Sequence, residues 1–136
     1  MKQTIYIVWS ENNNLGIPIV DEQHRGIIST INSLHYFMQT GQSGEIIKPI
    51  LIMLEQYTKI HFKTEESILE RVNYPDLENH KKLHNNLLAK TRNFIIELNK
   101  SENPAVLLKF LRDWWLTHIN IEDKKYASLV KSILNI

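Results

Sequence analysis

No cysteine occurs in the sequence. That absence excludes a disulfide framework, thiolate zinc sites, cysteine-ligated iron–sulfur clusters and covalent c-type haem attachment. A metal in this protein must therefore be held by histidine, aspartate or glutamate. An excess of charge of one sign is also missing. Sixteen basic residues meet 15 acidic ones for a formal net charge of +1, and the pairs Lys81-Lys82 and Lys124-Lys125 stand apart. Without a basic stripe, nucleic acid is not an expected partner. No apolar run reaches the roughly 18 residues of a spanning helix, so membrane insertion is not expected. The stretch from Met1 to Trp9 has too short an apolar run for a signal peptide, which makes the cytoplasm the default location.

Glycine and proline are scarce, four of each in 136 residues, and they punctuate the chain. At this length a single domain with a real core is expected. Residues 1 to about 18 carry Asn12-Asn13-Asn14, Gly16 and Pro18 and read as an extended, irregular arm. A first long segment runs from about 20 to 39 and stops at Gly41 and Gly44. A second runs from about 45 to 72, stops at Asn73-Tyr74-Pro75, and has Pro49 near its start, where a proline costs least. The third, about 76 to 99, ends before Ser101-Glu102-Asn103-Pro104. A fourth extends from about 104 to 120, with a shorter helical tail over about 123 to 134.

Each long segment has helical periodicity. The second is the clearest: Ile47, Leu51, Leu54, Thr58, His61, Glu65, Ile68 and Val72 alternate steps of four and three. That is the seam of a left-handed bundle. The first gives His24, Ile27 or Ile28, Ile31, Leu34 or His35, and Met38; the third runs from His80 through Leu87 and Thr91 to Leu98. The fourth gives Leu107 or Leu108, Leu111, Trp115, His118 and Glu122. Four amphipathic helices with short loops predict an all-α, antiparallel up-down-up-down four-helix bundle.

Five of the six histidines interrupt these apolar seams, together with two carboxylates. They are His24, His61 with Glu65, His80 with His84, and His118 with Asp123. The pairs His61–Glu65 and His80–His84 are spaced i, i+4 and so share a helix face. Buried without partners, such groups would each cost about 1–3 kcal/mol. Metal coordination satisfies them, and seven donors are more than one ion needs, which points to two metals. His35 follows His24 by three turns and lies about 16 Å further along the axis. It cannot join the cluster and reads as a core or hydrogen-bonded histidine. His118 and Asp123 are five residues apart, about 140° of rotation on a regular helix. Both can point inward only if the helix loosens or ends between them, near Asn120 or Glu122.

The chain resembles the hemerythrin family, in particular its stand-alone bacteriohemerythrin type. The resemblance is carried by Val8-Trp9-Ser10, Ile19-Val20-Asp21-Glu22-Gln23-His24, Ile31-Asn32-Ser33-Leu34-His35, and His61-Phe62 with Glu65-Glu66. It continues through Tyr74-Pro75, His80-Lys81-Lys82-Leu83-His84, Trp115-Leu116, His118-Ile119 and Asp123-Lys124-Lys125-Tyr126. The resemblance implies a non-haem di-iron site. One iron would take His80, His84 and His118, the other His24 and His61. Glu65 and Asp123 would bridge them with an oxo or hydroxo group. Five histidines, two bridging carboxylates and one bridging oxygen leave one position open on two six-coordinate ions, beside His24 and His61.

By the same resemblance, Ile27, Phe62, Trp114, Trp115 and Ile119 form an apolar oxygen pocket, which excludes water and limits proton leakage. Tyr126, three residues beyond Asp123, is either a partner of the ligands or a surface group. The implied function is reversible dioxygen binding, for storage, delivery or sensing, and not an enzymatic one. An oxygen-consuming or signalling protein would be the partner. The alternative is a di-iron redox enzyme, a peroxidase or a catalyst of nitric oxide or oxygen reduction, or an iron store. The same open position would serve it. The Glu-x-x-His spacing of carboxylate-rich di-iron enzymes does not occur here.

Overall fold

The structure is a computed structural model describing residues 5–41, 44–98 and 104–136. Residues 1–4 of the expected arm, Gln42-Ser43 beside the Gly41 breaker, and the Ser101-Glu102-Asn103 breaker lie outside the described residues. Every regular element described is helical: a short 3-10 turn at Glu11–Asn13, α1 (Pro18–Gln39), α2 (Gly44–Arg71), α3 (Leu77–Glu97), α4 (Pro104–Thr117), a π-helical segment (His118–Asp123) and α5 (Lys124–Leu134).

Local chemistry explains the boundaries. The buried Asp21 carboxylate accepts the backbone N–H groups of Leu15 at 2.8 Å and Gly16 at 3.0 Å, which folds the arm back onto the first turn of α1. Gly16 sits at φ +84°, where a side chain would be strained. Pro18 opens α1, a position where its missing N–H is no loss. At the end of α2, Tyr74 N–H reaches the Leu69 carbonyl at 2.9 Å and Asn73 N–H the Glu70 carbonyl at 3.1 Å, with Asn73 left-handed at φ 55°. These paired bonds close the helix and satisfy its last carbonyls. Pro49 lies inside α2 on an exposed face, and the helix continues through it.

α1 packs against α2 and α4, and α2 against α3, giving a four-helix bundle with α5 as a tail. α1 and α2 approach closely at Gly26, where a Cβ would lie 2.5 Å from the Tyr57 hydroxyl. The core falls into two apolar clusters. One is built from residues such as Ile27, Ile31, Leu54, Phe62, Leu111, Trp115 and Ile119. The other joins Leu15, Ile17, Val20, Leu69, Val72, Tyr126 and Val130. Along α1, His24 falls between Val20 and Ile27; along α2, His61 and Glu65 fall between Leu54 and Leu69. A polar layer therefore separates the two clusters.

In the last helix the seam shifts. Glu122, expected on the inner face, is half-buried and pairs with Lys125 at 3.1 Å, while Ile119 and Asp123 are buried. The π segment inserts one residue into the turn and moves the inward position from Glu122 to Asp123. The arm holds this segment from outside: Asn13 donates its amide to Asn120 Oδ1 at 2.9 Å, and Lys124 donates to the Asn12 carbonyl.

Candidate metal centre

Each bundle helix delivers its share of one buried polar layer. α1 brings His24, α2 brings His61 and Glu65 one turn apart, and α3 brings His80 and His84 one turn apart. The π segment brings His118 and Asp123. All seven are buried. Their donor atoms fall into two overlapping groups, Glu65–His80–His84–His118 and His24–His61–Glu65–Asp123, each within 4.8 Å.

The carboxylates face both groups. Glu65 turns Oε2 toward His61 Nε2 at 3.1 Å and His24 Nε2 at 3.9 Å, and Oε1 toward His84 Nε2 at 3.2 Å and toward His80. Asp123 turns Oδ2 toward His24 Nε2 at 3.1 Å, and Oδ1 toward His80 and His118 Nε2 at 3.0 and 3.1 Å.

These contacts are not an ordinary hydrogen-bond network. His24 Nδ1 and Nε2, His61 Nε2, Glu65 Oε2 and both Asp123 oxygens are buried with no directed hydrogen bond. His84 and His118 point their Nε2 atoms at each other across 3.3 Å, so a proton or a cation must lie between two lone pairs. Orphaned nitrogen and oxygen donors converging in an apolar interior, with no thiolate among them, fit a divalent transition metal.

Electrostatics agree with a cation site. Burial would raise the Glu65 pKa, but the His61, His80 and His84 rings close around it hold it well below the carboxylate range. Burial and the charge of Glu65 push Asp123 upward, yet His118 and His24 keep it below its ordinary value. Burial lowers His80, but the Asp123 and Glu65 carboxylates beside it prevail and lift it to about 10. His61, with burial as the largest influence, is lowered. Both carboxylates thus stay ionised and attract positive charge.

The spacing problem of His118 and Asp123 is resolved by loosening without a break. Between them the backbone is π-helical over six residues, and α5 follows directly. An i→i+5 bonding pattern brings residues five apart close to the same face.

Two partners outside this set were not singled out from the sequence. Gln23 Oε1 accepts from His61 Nδ1 at 2.9 Å, and Glu66 Oε2 accepts from His84 Nδ1 at 2.7 Å. Each fixes a ring so that Nε2 faces the centre. Their only sequence signal is adjacency, since Gln23 precedes His24 and Glu66 follows Glu65.

The model of the Hemerythrin HHE cation binding domain matches residues 15–130. The chain belongs to the hemerythrin family. It is 33% identical over 133 residues to a bacteriohemerythrin of Stenotrophomonas maltophilia, covering 95% of this chain and 84% of that protein. It is 32% identical over 124 residues to a hemerythrin of Sipunculus nudus, covering 90% of this chain and 92% of that one. The crystal structure of a wild-type hemerythrin superposes with a TM-score of 0.82 at 27% identity, covering 92% of this chain and 98% of that one.

Around this hemerythrin-family site, Ile27, Phe62, Trp115 and Ile119 are buried. Trp115 has its ring centroid 6.3 Å from His24 and 5.9 Å from His61. Phe62 stacks on His84 at 3.6 Å. Trp114 is placed differently from the other four expected pocket residues. It is half-buried, stacks on the outer side of His118 at 4.4 Å, and lines an open pocket. Tyr126 is fully buried with its ring 5.6 Å from His80, so it is no surface group. Its pKa is raised well above the usual value by burial and by Glu65 and Asp123. His35 lies outside both donor groups, half-buried and stacked on Tyr6 at 4.5 Å. No described helix is long and apolar enough to cross a membrane.

Proposed function

We propose that this chain binds dioxygen reversibly at a di-iron centre, in a storage, delivery or sensing role. His80, His84 and His118 would hold one iron and His24 and His61 the other. Glu65 and Asp123 would reach both, with a bridging oxo or hydroxo group completing the pair. The carrying observation is the division of the two carboxylates between a three-histidine and a two-histidine group. When bound, a reduced iron pair supplies two electrons to dioxygen and recovers them on release.

The residues account for the rest. The side served by His24 and His61 has one protein nitrogen fewer than its neighbour, which leaves room for a ligand there. Ile27, Phe62, Trp115 and Ile119 keep water from that room and so restrict proton delivery. Gln23 and Glu66 hold two of the rings in the orientation that binding needs. Elemental analysis of protein from iron-replete cells tests the metal assignment. About two irons per chain are expected from the donor count; a chain carrying zinc, or no metal, contradicts it.

A further inference from the structure

Among the described residues, two aromatic rings lie flat on histidines of the metal centre. Phe62 covers His84 with an interplanar angle of 2° and is buried. Trp114 covers His118 with centroids 4.4 Å apart at 14° and is only half-buried. The stacked pair borders an open pocket of about 310 Å³, lined by Leu83, Asp113, Trp114, Thr117, His118 and Glu122. Trp114 packs against the enclosed apolar group, its centroid 6.2 Å from Phe62 and 5.1 Å from Trp115, without being enclosed itself.

Iron that has lost its electrons must be reduced before it can bind dioxygen again. The donor atoms are buried, so a donor in solution cannot reach the ions themselves; of the seven donor residues only His118 borders this pocket, at its edge. Electron tunnelling weakens exponentially across unoccupied or saturated gaps, and a stacked π contact bridges such a gap. We propose that Trp114 is the port through which single electrons pass from a one-electron organic donor in solution, through His118, to the metal. This rests on the di-iron reading above. In each transfer the donor loses one electron and one ferric ion becomes ferrous. No bond forms or breaks at the indole, and two transfers restore a site.

Other routes are less well built. Trp9 is half-buried, but its centroid is 6.5 Å from His24 at a 43° tilt, with the Arg25 guanidinium 5.8 Å over its ring. Tyr74 meets His80 edge-on at 6.3 Å. Neither offers parallel overlap with a ligand ring.

The test is stopped-flow reduction of the ferric protein by reduced methyl viologen. Trp114→Leu should slow reduction by about tenfold or more, about 1.4 kcal/mol of barrier, measured on protein whose iron content matches the wild type. Phe110→Leu, in the adjacent groove away from the ligands, should reduce at the wild-type rate. A second measurement uses wild-type protein and Trp114→Phe, which keeps a ring in place. Azidyl radical removes one electron from an indole and becomes azide. In ferrous protein the site refills Trp114, so part of the indolyl radical signal should decay faster than in zinc-loaded protein, zinc having no redox chemistry. Trp114→Phe should lack that fast component. Equal decay in the zinc and ferrous wild-type proteins overturns the port, as does wild-type reduction of Trp114→Leu with its iron intact. A wild-type chain that holds no iron pair overturns the di-iron reading and the port together.

Discussion

Glu65 and Asp123 divide their oxygens in the same way, although one stands on α2 and the other at the end of the π segment. One oxygen of each lies 3.1 Å from a histidine of the two-histidine group, His61 for Glu65 and His24 for Asp123. The second oxygen of each lies 3.0–3.2 Å from histidines of the three-histidine group. Two buried like charges at one level require positive charge between and around them.

Neutralising either carboxylate should therefore break the pair of ions and not only weaken it. Glu65→Gln or Asp123→Asn keeps the side-chain shape and removes the charge, a loss of about 3–5 kcal/mol by analogy with broken buried pairs. Each variant is expected to carry one iron per chain or fewer after anaerobic loading, as counted by elemental analysis. Two tightly held irons in either variant would contradict the bridging roles.

Glu66 should matter through His84 alone. Its carboxylate holds Nδ1 at 2.7 Å. Glu66→Ala is expected to weaken metal binding about 10–100-fold, and Glu66→Gln, which can still accept that bond, to restore most of it. Competition with a chelator of known affinity measures both. Equal affinities for Ala and wild type would remove Glu66 from the account.

Trp115 joins stability to oxygen chemistry. Its ring is fully buried beside His24, His61 and Phe62. Trp115→Ala should cost about 3–5 kcal/mol of folding stability. The cavity would admit water beside the open side of the centre, so oxidation of the ferrous protein in air should accelerate. Denaturant unfolding and the decay of the oxygen-bound spectrum check the two halves separately.

The arm should steady the π segment. Removing the bond from Asn13 to Asn120 by Asn13→Ala is expected to cost about 1 kcal/mol. That corresponds to a Tm drop of about 2–8 °C for a domain of this size range. Metal retention should fall as well, because Asp123 ends the segment that Asn120 anchors. An unchanged Tm and unchanged metal dissociation would leave the arm without this role.

Some of this architecture was legible in the sequence because it is local. The steps of four and three through Ile47, Leu51, Leu54, Thr58, His61 and Glu65 are a property of one helix. The axial rise alone separates His35 from His24. The five-residue gap between His118 and Asp123 required a loosened helix, though not its form. A seam extended at regular spacing reaches Glu122, and only the π insertion moves the inward position to Asp123. Contacts across elements were not legible. Gln23 on His61 and Glu66 on His84 depend on how α1, α2 and α3 are rotated about their axes. Asn13 and Asn120 are 107 residues apart and meet only because the arm turns at Gly16 and Asp21. Trp114 and Trp115 are adjacent in sequence, yet one closes the core and the other faces a pocket.

The most direct test of the account is the absorption spectrum of iron-loaded protein taken through a cycle: reduced without oxygen, exposed to air, then purged with inert gas. The account predicts a near-colourless reduced form, a visible band that appears in air, and its loss on purging, over repeated cycles without added reductant. A band that never appears, or one that appears and cannot be removed by purging, would contradict reversible oxygen binding at this centre.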